Sequence, residues 1–261
     1  MGQYENLLLT LSGQTAIITI NRPTKLNALN RATLGELADL LGALKTNREV
    51  SGIILTGAGE KAFVAGADIA EFVGHSEEEG RAIAAWGQEH VMNVIHNFPK
   101  PVIGAINGFA LGGGLEIALS CHIRVAVETA KMGLPEVSLG VIPGYGGTQR
   151  LPALVGRGKA MEMILTGDMI GAKEALTWGV VNYVVPATDL LHTCESLLNK
   201  IYTRSGTAVA AAIEAINASQ TGVKGFDVEI DAFGKAFGTA DFKEGVSAFL
   251  EKRTPNFTGN L

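Results

Sequence analysis

Asn107-Gly-Phe-Ala-Leu-Gly-Gly-Gly-Leu-Glu116 follows the apolar run Pro101-Val-Ile-Gly-Ala-Ile106 and leads into Leu115-Glu-Ile-Ala-Leu-Ser-Cys121. The run has the length and composition of a short buried strand, and the segment after it is helix-forming. Between them Gly112, Gly113 and Gly114 let the chain turn with no side chain in the way. A strand-to-helix turn of this kind exposes unpaired backbone N–H groups where the helix macrodipole is positive. It suits a bound phosphate, or an oxygen that becomes anionic during reaction. Glu116 stands in the first turn of the helix, beside that site. Tight packing accounts for one glycine; three in a row followed by a carboxylate point to anion binding or catalysis.

The same grammar extends outward. Residues 7–11 and 16–21 read as a hairpin around Ser12-Gly13-Gln14, broken by Arg22-Pro23, with a loop at 25–28. Asn30 caps a helix to about residue 45, with Leu34, Leu37, Leu41 and Leu44 on one face. A buried strand at 50–56 ends at Gly57-Ala-Gly59, and Phe63-Val-Ala-Gly-Ala-Asp-Ile69 reads as a second glycine-bearing turn leading toward a helix. Residues 76–98 read as helix, 123–127 as strand and 131–133 as a short strand. Leu134-Pro-Glu-Val137 reads as a turn, and Ile142-Pro-Gly-Tyr-Gly-Gly147 is a third glycine-rich loop, with a helix from about residue 148. Alternation of strands and helices to about residue 185 predicts an α/β core. From residue 189 helix-period segments dominate, at 189–203, 206–219, 223–236 and 240–251. The expected organisation is a core over 1–188 and a helical C-terminal region over 189–261.

Composition bounds the function. The 261 residues are 47% apolar and 18% charged, which suits one large core. Gly is 33 of 261, above the usual ~7%, so tight turns and close backbone approaches are frequent. A formal charge of −5 argues against a general nucleic-acid binder. Two cysteines, Cys121 and Cys194, give no disulfide framework and fit a reducing compartment. Met-Gly-Gln-Tyr-Glu-Asn at the start lacks the features of a signal or transit peptide, and Thr-Gly-Asn-Leu at the end is not a peroxisomal address. No apolar run is long enough for a membrane span. A cytoplasmic protein is expected.

Several chemistries have no supporting pattern. The Gly112–Gly114 turn lacks G-x-G-x-x-G spacing, and no Lys-Ser or Lys-Thr follows it as in a P-loop. His75, His90, His96, His122 and His192 are scattered without ligand spacing, so no metal site is expected. No G-x-S-x-G occurs to support a serine nucleophile. Glutamates and backbone amides remain. Glu136 follows Pro135 in a turn among Leu134, Val137 and Leu139, and reads equally as an exposed turn residue or a buried acid. Two carboxylates in one pocket hold a water and trade protons when burial and repulsion separate their pKa values. Spacing alone does not bring Glu116 and Glu136 together.

Phe63–Ile69, Asn107–Glu116, and Pro135-Glu136 through Ile142-Pro-Gly-Tyr-Gly-Gly-Thr-Gln-Arg150 together resemble the enoyl-CoA hydratase (crotonase) family. Ile20-Asn-Arg-Pro-Thr-Lys-Leu-Asn-Ala-Leu29 and Phe242-Lys-Glu-Gly-Val-Ser-Ala-Phe-Leu-Glu-Lys-Arg253 fit it too, so the likeness covers essentially the whole chain. The resemblance implies an α/β spiral of ββα units with an all-helical C-terminal trimerisation region, assembled as a trimer or dimer of trimers. It implies an acyl-CoA thioester substrate and no metal or redox cofactor; the acidic balance and the lack of a long apolar run are what leave no nucleic-acid or membrane partner expected.

Carried over by motif, the backbone N–H groups of Ala67 and Gly113 would hold the thioester oxygen, and Glu116 and Glu136 would activate water and exchange a proton at the α-carbon. Gly144 matches a backbone position that orders the site. Lys25, Leu26 and Ala28 match the segment along the pantetheine and phosphates, and Ala65, Asp68 and Ile69 match the adenine pocket. Phe233 and Lys252 match positions that reach CoA, in some members from a neighbouring subunit. Ala70 stands where many members carry Lys, which removes or replaces a phosphate contact. Relatives that isomerise generally keep only the glutamate matching Glu136, so two carboxylates favour reversible syn hydration of a trans-2-enoyl-CoA to the (3S)-3-hydroxyacyl-CoA. The alternatives are an isomerase, a specialised lyase or branched-chain hydratase on the same scaffold, or an RNA-binding or inactive relative. Residues around Phe72, Trp86 and Phe109 are expected to set acyl length.

Overall fold

The computed structural model describes residues 4–218 and 225–259. The expected helix limits at 219 and 223, and the extreme terminal residues, lie outside them.

The chain opens with a hairpin, β1 (Leu7–Ser12) and β2 (Thr15–Ile20), in antiparallel register from Leu7↔Ile20 to Ser12↔Thr15. Gly13 makes the reversal at φ +57°, a conformation that costs glycine little. A single 3₁₀ turn leads to α1 (Arg31–Thr46), where the Asn30 side chain accepts from the Thr33 N–H at 2.9 Å. Leu34, Leu37, Leu40, Leu41 and Leu44 form its buried stripe. The other end of α1 is closed by Lys100, whose buried Nζ donates to the carbonyls of Leu44 and Asn47 at 2.9 and 2.8 Å.

Next come β3 (Gly52–Gly57), β4 (Ala62–Val64), α2 (Glu77–Gly87), α3 (Asn93–His96), β5 (Val102–Ile106), β6 (Phe109–Leu111) and α4 (Gly113–Ser120). They are followed by β7 (Ile123–Val127), β8 (Lys131–Gly133), α5 (Gly147–Thr166), β9 (Ile170–Gly171), α6 (Ala172–Thr177) and β10 (Tyr183–Val185). The described chain finishes in α7 (Leu190–Tyr202), α8 (Gly206–Ala218), α9 (Gly225–Ala236) and α10 (Ala240–Glu251).

Two sheets result. The larger has the order β1-β2-β3-β5-β7-β10 and is parallel apart from the opening hairpin; the smaller has the order β4-β6-β8-β9, with β8–β9 antiparallel. Each successive pair, β3/β4, β5/β6 and β7/β8, gives its first strand to the large sheet and its second to the small one. A helix then returns the chain for the next turn, so ββα units wind as a spiral. Strands β3 and β5 are buried along their whole length because both faces are covered, which explains their largely apolar sequence. Helix α7 lays Leu190, Cys194 and Leu198 on that sheet.

Local structure departs from the sequence expectation in three places. Phe109–Leu111 is a strand rather than part of a turn, pairing with both β4 and β8. The Phe63–Ile69 turn leads only into a 3₁₀ turn at Ile69–Phe72; α2 begins later, behind a Ser76/Glu79 capping box. The helical stretch expected over 76–98 is interrupted by a π turn at Gln88–Met92.

Candidate active site

The organising loop follows from steric demands at its glycines. Gly112 has φ +50° and donates to the Gly133 carbonyl at 2.9 Å, tying the end of β6 to the end of β8. A Cβ on Gly112 would stand 2.9 Å from Glu136 Oε1, and one on Gly114 only 1.9 Å from the carbonyl oxygen of Val64. The first turn of α4 therefore rides directly on β4. Just beyond β4, Ala67 is bridged to Leu29, with the Leu29 N–H donating to Gly66 O at 2.8 Å and the Asp68 N–H to Leu29 O at 2.7 Å. The Leu29 side chain also lies 3.6 Å from where a Gly113 Cβ would be. Among the described residues the N–H groups of Ala67 and Gly113 make no hydrogen bond to protein acceptors.

Two asparagine side chains, Asn27 buried and Asn107 partly exposed, knit the loops around this point. Asn27, at φ +58°, donates to the carbonyls of Ala58 and Ala62 at 2.9 and 2.8 Å and accepts from the Arg22 N–H at 3.0 Å. Asn107 donates to Gly57 O and Gly59 O at 2.9 and 2.7 Å. Neither stood out in the sequence, although Asn is a residue that tolerates positive φ.

Glu116 projects from α4 with 1% of its surface exposed. Its Oε1 accepts from the Tyr145 and Gly147 N–H groups at 2.7 and 2.8 Å. A Cβ at Gly147 would crowd the same carboxylate and Leu134, standing 3.1 Å from Oε1 and 3.0 Å from Leu134 Cδ1. Burial raises the Glu116 pKa, opposed by these two bonds and by the Arg150 charge. Glu136 lies in the 3₁₀ turn Pro135–Leu139. Burial pushes it up to about 7; a bond from its own backbone amide opposes the rise and the charge of Glu116 adds to it. Its Oε2 is buried with no hydrogen-bond partner. Two carboxylates thus share one site in unlike surroundings, one held by amides and one left open, the arrangement that separates acid from base.

A cavity of about 490 Å³ adjoins the loop, lined among others by Leu29, Leu34, Phe72, Ile83, Trp86 and Tyr145. Leu29 and Tyr145 are also the side chains facing the Gly113 Cβ position, so the cavity meets the glycine loop. Phe72 and Trp86 line it as expected; Phe109, in β6, does not.

The segment Lys25–Ala28 runs beside the segment Ala65–Ile69. The Ala65 N–H donates to Leu26 O at 3.0 Å, Arg22 donates to the Ala28 carbonyl, and Arg22 pairs with Asp68 at 3.0 Å. Lys25, Ile69 and Ala70 are exposed on this ledge. Gly144 belongs to the loop that carries Tyr145, and its carbonyl accepts from Gln88 Nε2 at 2.8 Å. Phe233 and Lys252 are not gathered here. Phe233 is on α9, in ring contact with Phe237, and Lys252 caps α10 at φ +55°.

The raised Glu136 has a stability consequence. Its folded pKa of about 7 exceeds the ordinary ~4.3, so the unfolded chain releases this proton first. Stability therefore falls as pH rises between these values and stays lower above them. Glu136→Gln is expected to raise the melting temperature at pH 8 and to raise it much less at pH 5, near the start of that window. Thermal melts of both proteins at the two pH values check this; an equal shift at both would refute it.

A sequence model of the family described as enoyl-CoA hydratase/isomerase matches residues 11–260. The chain is similar to a crotonyl-CoA hydratase of Syntrophomonas wolfei, 46% identical over 97% of this chain and 98% of that protein. It is similar to a short-chain-enoyl-CoA hydratase of Clostridium acetobutylicum, also 46% identical, over 96% of this chain and 97% of that protein. Among solved structures it is similar to the enoyl-CoA hydratase of Bacillus anthracis, with a TM-score of 0.91 and 42% identity over 98% of this chain and all of that one.

Proposed function

The chain belongs to the enoyl-CoA hydratase/isomerase family, and from that premise we propose that it adds water reversibly and syn across the double bond of a short trans-2-enoyl-CoA, giving the (3S)-3-hydroxyacyl-CoA. The observation that carries this reading is the pair of carboxylates in unlike surroundings beside two free backbone amides. The N–H groups of Ala67 and Gly113 hold the thioester oxygen, stabilising the enolate as it forms. Glu116, ionised and fixed through Oε1, takes a proton from the water whose oxygen bonds the β-carbon. Glu136, protonated, delivers its proton to the α-carbon. One water is consumed, and one proton passes into and one out of the pair. These acid–base and amide groups suffice for the addition, so no metal or redox cofactor is required.

The Lys25–Ala28 and Ala65–Ile69 ledge would carry the coenzyme A portion, and the 490 Å³ cavity the acyl chain. Phe226, Phe233, Phe249 and Leu250 are 82%, 68%, 82% and 73% exposed, beside a groove of about 590 Å³ between α8, α9 and α10. Such a surface suits self-association. We assign it to a homotrimer or dimer of trimers, in which Phe233 and Lys252 reach a neighbour's ligand. Sedimentation equilibrium showing a monomer would remove that assignment. No helix of the described residues is long and apolar enough to cross a membrane. The two cysteines are free and buried, consistent with a cytoplasmic location.

The test is loss of crotonyl-CoA's conjugated-thioester absorbance across pH. Activity requires one proton shared by the pair, so kcat/KM should be bell-shaped, with its alkaline limb near the Glu136 value of about 7. Hydration consumes no net proton, so the equilibrium constant ties both directions to the same limbs. Dehydration of 3-hydroxybutyryl-CoA should trace the same bell. Absence of hydration with short, longer and branched enoyl-CoAs would sink the proposal, as would limbs that differ between directions.

A further inference from the structure

Gln88–Met92 is a π turn inside the helical stretch that runs from α2 to α3, closed by the Asn93 N–H donating to Gln88 O. In a regular α-helix two residues five apart point about 140° away from each other. The i→i+5 bond of a π turn brings them onto one face instead. Here Gln88 and Asn93 both turn toward the glycine-rich loop before α5. Gln88 Nε2 donates to Gly144 O at 2.8 Å; Asn93 Oδ1 accepts from Arg150 Nη2 at 2.7 Å, and Arg150 Nη1 donates to Tyr145 O at 3.0 Å. Just before the π turn, Gly87 makes room for the Tyr145 ring, whose Cε1 lies 2.4 Å from where a Cβ would be.

The Gly144 carbonyl and the Tyr145 N–H belong to one planar peptide unit. Gln88 pulls on its oxygen, and its N–H points to Glu116 Oε1. The side-chain amide, the peptide and the carboxylate thus form one hydrogen-bonded chain, each bond polarising the next. Asn93, through Arg150, holds the next carbonyl, that of Tyr145, whose peptide lies between the two amides that bond Glu116.

We propose that the π turn is a positioning device for the general base: Gln88 and Asn93 are positioning residues that fix the Tyr145–Gly147 segment and, through its amides, Glu116. The inference rests on the hydratase reading for its kinetic consequence, and on geometry alone for its structural one. The charged or titratable groups facing Glu116 are Glu136, Arg150 and the Tyr145 phenol, the last pushed up to about 12 and so neutral. Loosening the segment weakens the amide bonds that hold Glu116 anionic, and the acidic limb should move to higher pH.

Gln88→Met and Asn93→Leu keep side-chain volume while removing the polar contact. Each is expected to lower kcat for crotonyl-CoA hydration about tenfold, with KM nearly unchanged and the acidic limb of kcat/KM displaced upward. Asn93→Asp, which keeps an acceptor for Arg150, is expected to recover most of the loss. Amide hydrogen exchange supplies the readout that needs no turnover: the Tyr145 and Gly147 N–H groups should exchange at least about tenfold faster in Gln88→Met and Asn93→Leu. Unchanged exchange at both amides, or lower activity with the acidic limb unmoved and no rescue by Asn93→Asp, would overturn the inference. If wild type itself fails to hydrate enoyl-CoAs, the functional reading falls, and the exchange measurement still decides the positioning role.

Discussion

Glu116→Gln is expected to lower kcat for crotonyl-CoA hydration by about 10³, within the 10²–10⁴ that a positioned general base contributes, while KM changes little. The substitution keeps the shape of the side chain, and its amide oxygen can still accept from the Tyr145 and Gly147 N–H groups that now hold Oε1. What the second position loses is basicity: an amide NH₂ cannot take a proton from water. Glu136→Gln should fall by a similar factor, because its raised pKa suits it to hold the proton that the α-carbon receives. The two groups act as a unit in moving one proton each way. The double variant should therefore be scarcely slower than the worse single one, not slower by the product of the two. Stopped-flow absorbance with each variant, alongside CoA-analogue binding, separates the outcomes. A nearly silent Glu116→Gln beside a crippled Glu136→Gln would point to one-base isomerisation. Near-additive losses would mean the carboxylates act in separate steps.

Sequence carried the large elements because each had enough residues to show a period or a run. The buried strands β3, β5 and β7 are dominated by apolar residues, with only Thr56 and Arg124 as polar members, and the leucine stripe of α1 is explicit. Strand β6 escaped because three residues between Gly108 and Gly112 are too few to show alternation; its pairing with β4 and β8 is what makes it a strand. The π turn escaped for another reason. Gln88-Glu-His-Val-Met92 has ordinary helical composition, and the extra residue is held by contacts 56 or 57 positions away in the chain, at Gly144 and Arg150. Glu116 was legible from its place after three glycines, whereas the burial of Glu136 depends on the fold that brings its turn against Gly112. Asn27 and Asn107 stayed hidden because an asparagine in a loop is ordinary until its amide is found satisfying carbonyls at the ends of other strands.

Among the described glycines, Gly114→Ala is expected to be the most damaging addition of a single methyl. The added Cβ would stand 1.9 Å from the Val64 carbonyl oxygen and 2.8 Å from Val64 Cβ, so backbone must move. Either α4 lifts from β4 or β4 shifts in its sheet. Both movements separate the Gly113 amide, one residue before the change, from the Ala67 amide, three residues beyond Val64. Overpacking of this kind costs about 1–3 kcal/mol of stability. Displacing an oxyanion donor costs about 10²–10³ in rate. Gly35→Ala in α1 is the control, since a Cβ there meets nothing within 4 Å and alanine favours the helix by up to about 1 kcal/mol. The measurement is kcat on the folded fraction of each variant, with a melting curve for each. Gly114→Ala should lose both rate and melting temperature, and Gly35→Ala neither. If Gly114→Ala kept wild-type kcat while melting earlier, the α4–β4 contact would serve stability alone, and the amide pair would have to hold its geometry through Leu29, which bridges to Ala67 and packs against Gly113.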